Sequence, residues 1–217
     1  MKRLLTNRFY LSLSLLVIVY TVGFVTVFLG HAESLMLLTP YNLLFASGLL
    51  IYNAEGFDKR YGSWLLVVML AGFFVEVAGI KTGLIFGTYA YGEGLGIKWL
   101  DVPLMIGVNW GVLVFGTAAL IQHFRLARWV KAAIAATLMV SYDVLLEPVA
   151  IRFDFWSWEG GTIPLQNYLA WWIISFGMLL GAFYLVKNLR NRLAIYVIGI
   201  QTLFFVVLIL DQNLSIR

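Results

Sequence analysis

The sequence predicts an all-α membrane protein, a polytopic helical bundle of about seven transmembrane helices, and three observations lead to this prediction. The 217 residues are 62% hydrophobic and 12% charged, whereas soluble domains carry about 25% charged residues. Apolar segments recur along the whole chain, each close to the roughly 20 residues that a helix needs to cross about 30 Å of hydrocarbon. Lysine and arginine concentrate in alternate connections, as expected of a chain that crosses the bilayer repeatedly.

The expected helices follow the apolar segments in order, within a single integral membrane domain over residues 1–217. They lie at about 9–30, 36–52, 64–80, 103–121, 131–150, 168–186 and 193–210. The first segment has no small-residue cleavage pattern after its apolar core, so we interpret it as a retained anchor. The two longest connections, residues 81–102 and 151–167, are rich in glycine and aromatic residues, which suits turns and rings at an interface.

The charge distribution predicts the orientation of the bundle. With the N-terminus inside, eleven of the fifteen lysines and arginines fall in the inner segments, including Lys2 and Arg3. The outer segments keep four, namely Lys81, Lys98, Arg152 and Arg217. This bias favours an N-in, C-out topology. The net charge of +4 then reflects topology and contact with membrane lipid, and it gives no reason to expect a nucleic-acid partner.

Three carboxylates lie inside segments that otherwise read as membrane-spanning helix: Glu76, Asp143 and Glu147. An acidic side chain at mid-depth costs roughly 2.5–3.5 kcal/mol on insertion scales, so such groups usually face the bundle interior and mark a functional site. All three fall toward the predicted outer ends of their helices, on the same side as the two long connections. They are therefore the candidate catalytic residues.

Each carboxylate also has a structural interpretation. Asp143 and Glu147 are four residues apart and share a helix face. In a poorly hydrated site two such groups resist ionising together, which leaves a neutral acid beside an anion. Alternatively, both groups bond neighbouring helices, or Glu147 reaches the outer interface before Pro148. For Glu76 the alternative is an ion pair with Lys81, although five residues on a helix point the two about 140° apart.

Rings and amides near these acids are candidate substrate-binding residues. The pairs in TYAY and WSW place their rings on one side if the chain is extended, although an aromatic belt at the membrane interface explains them equally well. The two asparagines can orient a carboxylate or a water, or bond neighbouring helices. The candidates are Tyr89, Tyr91, Asn109, Trp110, Trp156, Trp158 and Asn167. Gly107 and Gly111 form a small-xxx-small pair, most simply a packing face.

Absent residue types narrow the chemistry. The chain has no cysteine and only two histidines, so disulfides, thiol catalysis and the multi-histidine iron sites of membrane oxygenases are excluded. The last apolar segment has no lysine for a retinal Schiff base, and Gly92, Gly94 and Gly96 do not have the dinucleotide-binding spacing. Acid–base chemistry by carboxylates among aromatic rings remains.

The pattern around these residues resembles the carotenoid hydratase family over about residues 64–180. The matching positions are Glu76, Thr82-Gly83, Phe86-Gly87, Tyr89, Tyr91, Gly92, Leu95-Gly96, Val102-Pro103, Asn109-Trp110, Asp143, Glu147-Pro148, Trp156, Trp158, Gly161, Ile163-Pro164, Asn167 and Trp171. The resemblance implies hydration of the terminal C1–C2 double bond of an acyclic (ψ) carotenoid end, giving a tertiary alcohol without a metal or redox cofactor. Lycopene, γ-carotene or a related carotenoid is the implied substrate.

Such a reaction needs a desolvated acid and a positioned water. We expect the Asp143/Glu147 pair to divide these roles, with Glu76 as the competing acid, Asn109 as a water ligand and the four loop rings stabilising the cation. The implied location is a prokaryotic cytoplasmic membrane with the site toward the outer face, where association with other carotenoid biosynthesis enzymes is expected. A membrane carotenoid cyclase, which uses the same protonation, and a non-enzymatic carotenoid- or lipid-binding protein remain alternatives.

Overall fold

The computed structural model describes residues 2–211, with side chains from residue 7, and this part of the chain is mostly helical. Its helices are α1 (Lys2–Phe28), α2 (Ala32–Met36), α3 (Thr39–Asn53), α4 (Lys59–Thr82), α5 (Leu104–Ile121), α6 (Arg128–Arg152), α7 (Leu165–Leu185) and α8 (Ala194–Leu210). Its strands are β1 (Tyr89–Tyr91), β2 (Lys98–Trp99), β3 (Val102–Pro103) and β4 (Trp156–Trp158). Lys2, Arg3 and Arg217, which contribute to the charge distribution used to predict the orientation, lie outside the residues whose side chains are described.

Within the part of the chain that the structure describes, five helices are long and apolar enough to cross a membrane: α4, α5, α6, α7 and residues 7–28 of α1. The other two expected spans correspond to α3, of 15 residues, and α8, of 17 residues. At 1.5 Å per residue these helices are about 22 and 26 Å long, shorter than the roughly 30 Å hydrocarbon core. The chain is therefore an all-helical membrane protein, while seven crossings and the N-in, C-out orientation stay predictions.

The second expected helix is interrupted, contrary to the continuous segment predicted over 36–52. The chain forms α2, turns at Leu37 and Leu38, and starts α3 at Thr39, with Pro40 in its first turn. Proline has no backbone N–H and cannot donate to the carbonyl four residues earlier, so it is accommodated at a helix start. Leu35, Met36, Leu38 and Thr39, which surround the break, line the cavity described below.

The central helix of the bundle is α5, and it packs against α3, α4, α6, α7 and α8. A Cβ added at Gly107 would lie 2.7 Å from the Met69 carbonyl oxygen, and one at Gly111 would lie 3.0 Å from the Met69 side chain. The two glycines therefore let α5 approach the α4 backbone closely, and the predicted packing face is confirmed.

Capping fixes both ends of α4, which carries Glu76. The Asp58 carboxylate accepts a hydrogen bond of 2.8 Å from the Tyr61 backbone N–H, and an Asp at this position satisfies an otherwise unpaired donor. At the other end Gly83 has φ +66°, a left-handed conformation that glycine adopts without steric cost. The observed helix is longer than the predicted 64–80 because these caps lie outside the apolar segment.

The two long connections meet at one end of the bundle, which we call the ribbon end (residues 83–103 and 153–164). Strands β1 and β4 pair antiparallel, with Tyr89 opposite Trp158 and Tyr91 opposite Trp156. Strands β2 and β3 form a second short hairpin. The all-α prediction contained no strands, but the prediction that extended chain would align the paired rings is confirmed, since all four rings fall on one face of the ribbon.

Candidate active site

Glu76 is buried in α4 and accepts three hydrogen bonds from aromatic side chains. Its Oε2 accepts from the hydroxyls of Tyr89 at 2.5 Å and Tyr91 at 2.9 Å. Its Oε1 accepts from the indole N–H of Trp110 at 3.2 Å. Three donors aimed at one carboxylate compensate for the water it has lost. Lys81 instead pairs with Asp101 at 2.9 Å, so the alternative of a Glu76–Lys81 ion pair is wrong, and no other described cation pairs with Glu76.

Glu147 has an equivalent environment on α6. Its Oε2 accepts from the indole N–H groups of Trp156 at 2.9 Å and Trp158 at 3.1 Å, and its Oε1 accepts from the Asn167 amide at 3.4 Å. The side chain is 1% exposed, which contradicts the alternative in which it reaches the membrane interface before Pro148. The helix continues through Pro148 to Arg152, so Glu147 lies within the bundle.

Asp143 lies one turn before Glu147 on the same face of α6, with far fewer partners. Its Oδ2 accepts one bond of 3.3 Å from Asn167, and no described side chain donates to its Oδ1. The Asn167 amide therefore bridges the two carboxyl groups. Asp143 is nevertheless 2% exposed, so the three acids differ in how fully hydrogen-bond donors satisfy them, and Asp143 is the least satisfied.

The two strands of the ribbon divide the acids between them: the β1 tyrosines donate to Glu76 and the β4 tryptophans donate to Glu147. Across the ribbon the rings of Tyr89 and Trp158 are 5.0 Å apart. Burial, and then the neighbouring Glu76 charge, raise the pKa of Tyr89 and Tyr91 well above the usual value of 10.0. The hydroxyls therefore stay protonated and able to donate. Both tryptophans and Tyr89 are buried, which contradicts a lipid-facing belt for these rings.

Trp110 is held rigidly. Its ring stacks on Trp171 at 4.3 Å with an interplanar angle of 16°, and a Cβ on Gly72 would lie 2.4 Å from its Cγ. The indole N–H therefore has a fixed direction toward Glu76. Trp171 was not among the predicted site residues, although it is one of the positions that carry the family resemblance.

The acids surround a small recess of about 30 Å³, which is large enough to hold a water molecule. Its lining comprises Glu76, Tyr89, Tyr91, Ile106, Asn109, Trp110, Asp143, Leu146, Glu147, Trp156, Trp158, Asn167 and Trp171. The structure thus brings together all ten predicted site residues in one place, although the role of each stays a prediction.

A second, larger cavity of about 450 Å³ adjoins the recess and is lined mostly by apolar side chains of α1, α2, α3, α5, α6 and α8. The two spaces share four wall residues: Ile106, Asn109, Leu146 and Trp156. Several other wall residues are also exposed on the outer surface, such as Val22 and Tyr41. The cavity therefore reaches the apolar outer surface of the bundle at residues of α1 and α3. Its size suits a small organic ligand.

Asn109 stands at the junction of the two spaces and is half-buried. Its side-chain amide makes no hydrogen bond to any residue that the structure describes. A partly buried amide without a protein partner is a natural position for a bound water. Helix–helix bonding, the alternative for this residue, is thereby excluded among the described residues, whereas Asn167 bonds carboxyl groups on a neighbouring helix.

The recess therefore combines the weakly hydrogen-bonded Asp143, the fully hydrogen-bonded Glu147, the Asn109 amide and room for one water, and it adjoins the apolar cavity. Within the described residues there is no group of three or more His, Cys, Asp or Glu that could hold a metal ion. The prediction that the site works without metal or cofactor is not tested by this and stays a prediction.

Comparison with known proteins identifies related sequences. Residues 37–214 match the family model described as carotenoid biosynthesis protein. A protein of Haloarcula japonica named bisanhydrobacterioruberin hydratase is 30% identical over 183 residues, which cover 76% of this chain and 60% of that protein. The match thus spans less than two thirds of that relative. No solved structure matches.

Proposed function

Because the chain belongs to the carotenoid biosynthesis protein family, we propose that it is a carotenoid 1,2-hydratase, which adds water to the terminal C1–C2 double bond of an acyclic carotenoid end. The observation that carries the proposal is that the apolar cavity and the polar recess share a wall. The apolar cavity takes the hydrocarbon end group, and the adjoining polar recess supplies a proton and one water. The name of the Haloarcula relative, a hydratase, supports the same reaction class.

The proton donor we propose is Asp143. Hydrogen bonds to a carboxylate stabilise its charged form, and Glu147 receives three such bonds whereas Asp143 receives one. In a pair that holds one proton, the proton therefore resides on Asp143. Its Oδ1, which receives no bond from a described side chain, is the atom that delivers this proton to C2 of the alkene, leaving a tertiary cation at C1.

Water capture completes the reaction. A water held by Asn109 and Glu147 forms the new C1–O bond and releases a proton to the Glu147 carboxylate. The proton then returns to Asp143 across the recess that the two groups share, which restores the starting state. Trp156 lines both spaces, so its ring lies beside the developing cation, an interaction worth about 2 kcal/mol when desolvated.

The lateral opening supports a membrane-borne substrate. A long polyene can enter between α1 and α3 with one end in the cavity while the remainder stays among the lipid chains. A cyclase needs the same acid but a dry pocket, so that an internal double bond captures the cation. The polar lining of the recess favours water capture over this alternative.

The test is expression in bacteria that accumulate lycopene or γ-carotene, followed by mass spectrometry of the extracted pigments. We expect the gain of one water per ψ end. An isomer of unchanged mass would indicate cyclisation, and bound but unaltered pigment would indicate a binding protein.

Individual roles are tested by Asp143→Asn and Glu147→Gln beside Glu76→Gln. A positioned acid or base contributes about 10²–10⁴-fold, so each helix α6 variant should lose activity by that factor while remaining folded. Glu55→Gln, at an exposed glutamate, is the matched control for the loss of one carboxylate. Full activity in both α6 variants would refute the proposed pair.

A further inference from the structure

A short hairpin at the ribbon end presents large apolar side chains on the outside of the bundle. It spans residues 97–103, in which β2 and β3 pair and the Leu104 backbone N–H donates to the Ile97 carbonyl at 3.0 Å. Ile97 is 80% exposed, Trp99 53% and Leu100 41%. We call these three side chains the hairpin patch. They line neither the acid recess nor the apolar cavity, so the roles assigned above do not use them.

The turn of this hairpin has a strained backbone. Its two central residues, Leu100 and Asp101, have φ of +54° and +68°, the left-handed conformation that a type I′ turn requires. Asparagine and glycine are the usual residues in such a turn, and a bulky side chain adopts a positive φ only at a steric cost. Leu100 therefore makes the turn less favourable while much of its side chain stays exposed, so its presence needs a reason outside the folded chain.

Charged and apolar side chains separate on the two faces of the hairpin. Lys98 pairs with Glu93, which follows β1, at 2.7 Å. Successive side chains of a strand point to opposite faces, so Ile97 and Trp99 lie on the face away from Lys98. On that face the Trp99 ring stacks on Phe73 of α4 at 5.6 Å, with an interplanar angle of 9°. The hairpin patch therefore lies beside α4.

The hairpin patch continues the exposed apolar surface of α4, a helix long and apolar enough to cross a membrane. The exposed Phe74 ring meets the edge of the Trp99 ring at 6.0 Å, and Leu70, one turn earlier, is exposed as well. At the turn itself, Asp101 pairs with Lys81, and both side chains are exposed. A tryptophan between apolar side chains and a charged pair is typical of the boundary between hydrocarbon and lipid headgroups.

We propose that residues 97–103 lie in the membrane interface at the ribbon end, with the hairpin patch among the lipid acyl chains and the Lys81–Asp101 pair at the headgroups. The contact is with lipid, because the patch is continuous with the exposed apolar face of a membrane-crossing helix. Helix α5 begins directly after β3, and Asn109 lies five residues along it, about 8 Å further into the bundle. The hairpin thereby holds the recess just beneath the membrane surface, close to the water that the proposed reaction consumes.

The sequence contains no cysteine, so a single introduced cysteine can carry one nitrobenzoxadiazole fluorophore. Leu100→Cys and Ile97→Cys place this label on the hairpin patch, in protein reconstituted into phosphatidylcholine vesicles. Ser157→Cys is the matched control at the same end of the bundle, since Ser157 is exposed and lies on the face of β4 opposite the buried rings. Ile173→Cys, at an exposed position within the membrane-crossing α7, is the control for deep lipid. Quenching is measured with iodide in the water and with lipids that carry a nitroxide near the headgroup.

We expect the labels at positions 97 and 100 to be quenched by the nitroxide lipid more strongly than the labels at positions 157 and 173. Iodide should quench them several-fold less than it quenches the label at position 157. Only position 100 has a positive φ, so the label at position 97 gives the same test if Leu100→Cys disturbs the turn.

Two outcomes would overturn the inference. If iodide reaches positions 97 and 100 as readily as position 157, the hairpin lies in water. If both labels are protected from iodide and from the nitroxide lipid alike, a protein surface covers the patch, either a second copy of this chain or another partner. Neither result depends on catalysis, so the quenching pattern stands apart from the pigment assay that tests the proposed function.

Discussion

Replacing Glu76 with glutamine tests whether this carboxylate is a structural acceptor or the catalytic acid. The side chain accepts from Tyr89 and Tyr91 at one oxygen and from Trp110 at the other. A glutamine has one carbonyl oxygen, which can serve the two hydroxyls, and its NH₂ group then points at the indole N–H. Two donors face each other, and Trp110 cannot turn away because it is stacked on Trp171.

The magnitude follows from these bonds. An unpaired buried N–H costs about 1–3 kcal/mol, and hydrogen bonds to charged groups are worth about 1.5–3 kcal/mol against about 0.5–1.5 kcal/mol for neutral ones. Loss of charge assistance at two hydroxyls therefore adds about 1 kcal/mol each. We expect Glu76→Gln to lower the free energy of unfolding by about 3–5 kcal/mol. For soluble domains of 150–250 residues each kcal/mol corresponds to about 2–4 °C, so Tm falls by at least about 6 °C.

Thermal unfolding in detergent, followed by tryptophan fluorescence, measures the stability, and pigment hydration in membranes measures activity at a temperature where the variant is folded. We expect activity within about tenfold of wild type, since the proposed acid is Asp143, and a change within about 0.5 kcal/mol for the exposed-site control Glu55→Gln. A stable Glu76→Gln protein without activity would refute the reasoning, because it would make Glu76 the acid. An unchanged Tm would show that the three donors do not need a carboxylate.

Three further predictions concern the ribbon and the helix packing. In an absorbance titration, Tyr89 and Tyr91 should stay protonated after the exposed tyrosines have ionised. Because the pKa of both is raised in the folded state, the free energy of unfolding should fall as the pH rises above about 10. This fall should be less steep in Tyr89→Phe. Gly72→Ala should displace the Trp110 indole, whose Cγ would lie 2.4 Å from the new Cβ, and abolish hydration. A Cβ on Gly177 would meet nothing within 4 Å, so Gly177→Ala should stabilise the protein by about 0.5–1 kcal/mol. Equal behaviour of the two variants would contradict the packing argument. Ala90→Pro should break β1–β4 pairing and reduce hydration, and wild-type activity in it would show that the ribbon is dispensable.

Much of the site could be predicted because its acidic residues lie within otherwise apolar segments. Charged groups within apolar helices are costly, so Glu76, Asp143 and Glu147 were conspicuous in the sequence, and the family resemblance drawn from their neighbours is confirmed. The pairing of β1 with β4 could not be predicted, since it joins two connections far apart in the chain and each strand has three residues. The buried hydrogen bond between Tyr142 and Gln201 was also missed, although Gln201 is a lone amide in the last apolar segment and offered a signal.

The ribbon explains how two carboxylates can be buried beside each other in a membrane protein when no described cation pairs with either of them. Each strand supplies two ring donors to one acid, and the register that places Tyr89 opposite Trp158 aligns both sets at once. Because strands of three residues are not stable alone, neither acid receives its full set of donors until the two connections have paired over the helices. Pairing of the ribbon therefore does more than close the end of the bundle. It leaves Asp143 as the one acid of the three that the ribbon does not satisfy, and this is the difference that the proposed chemistry requires.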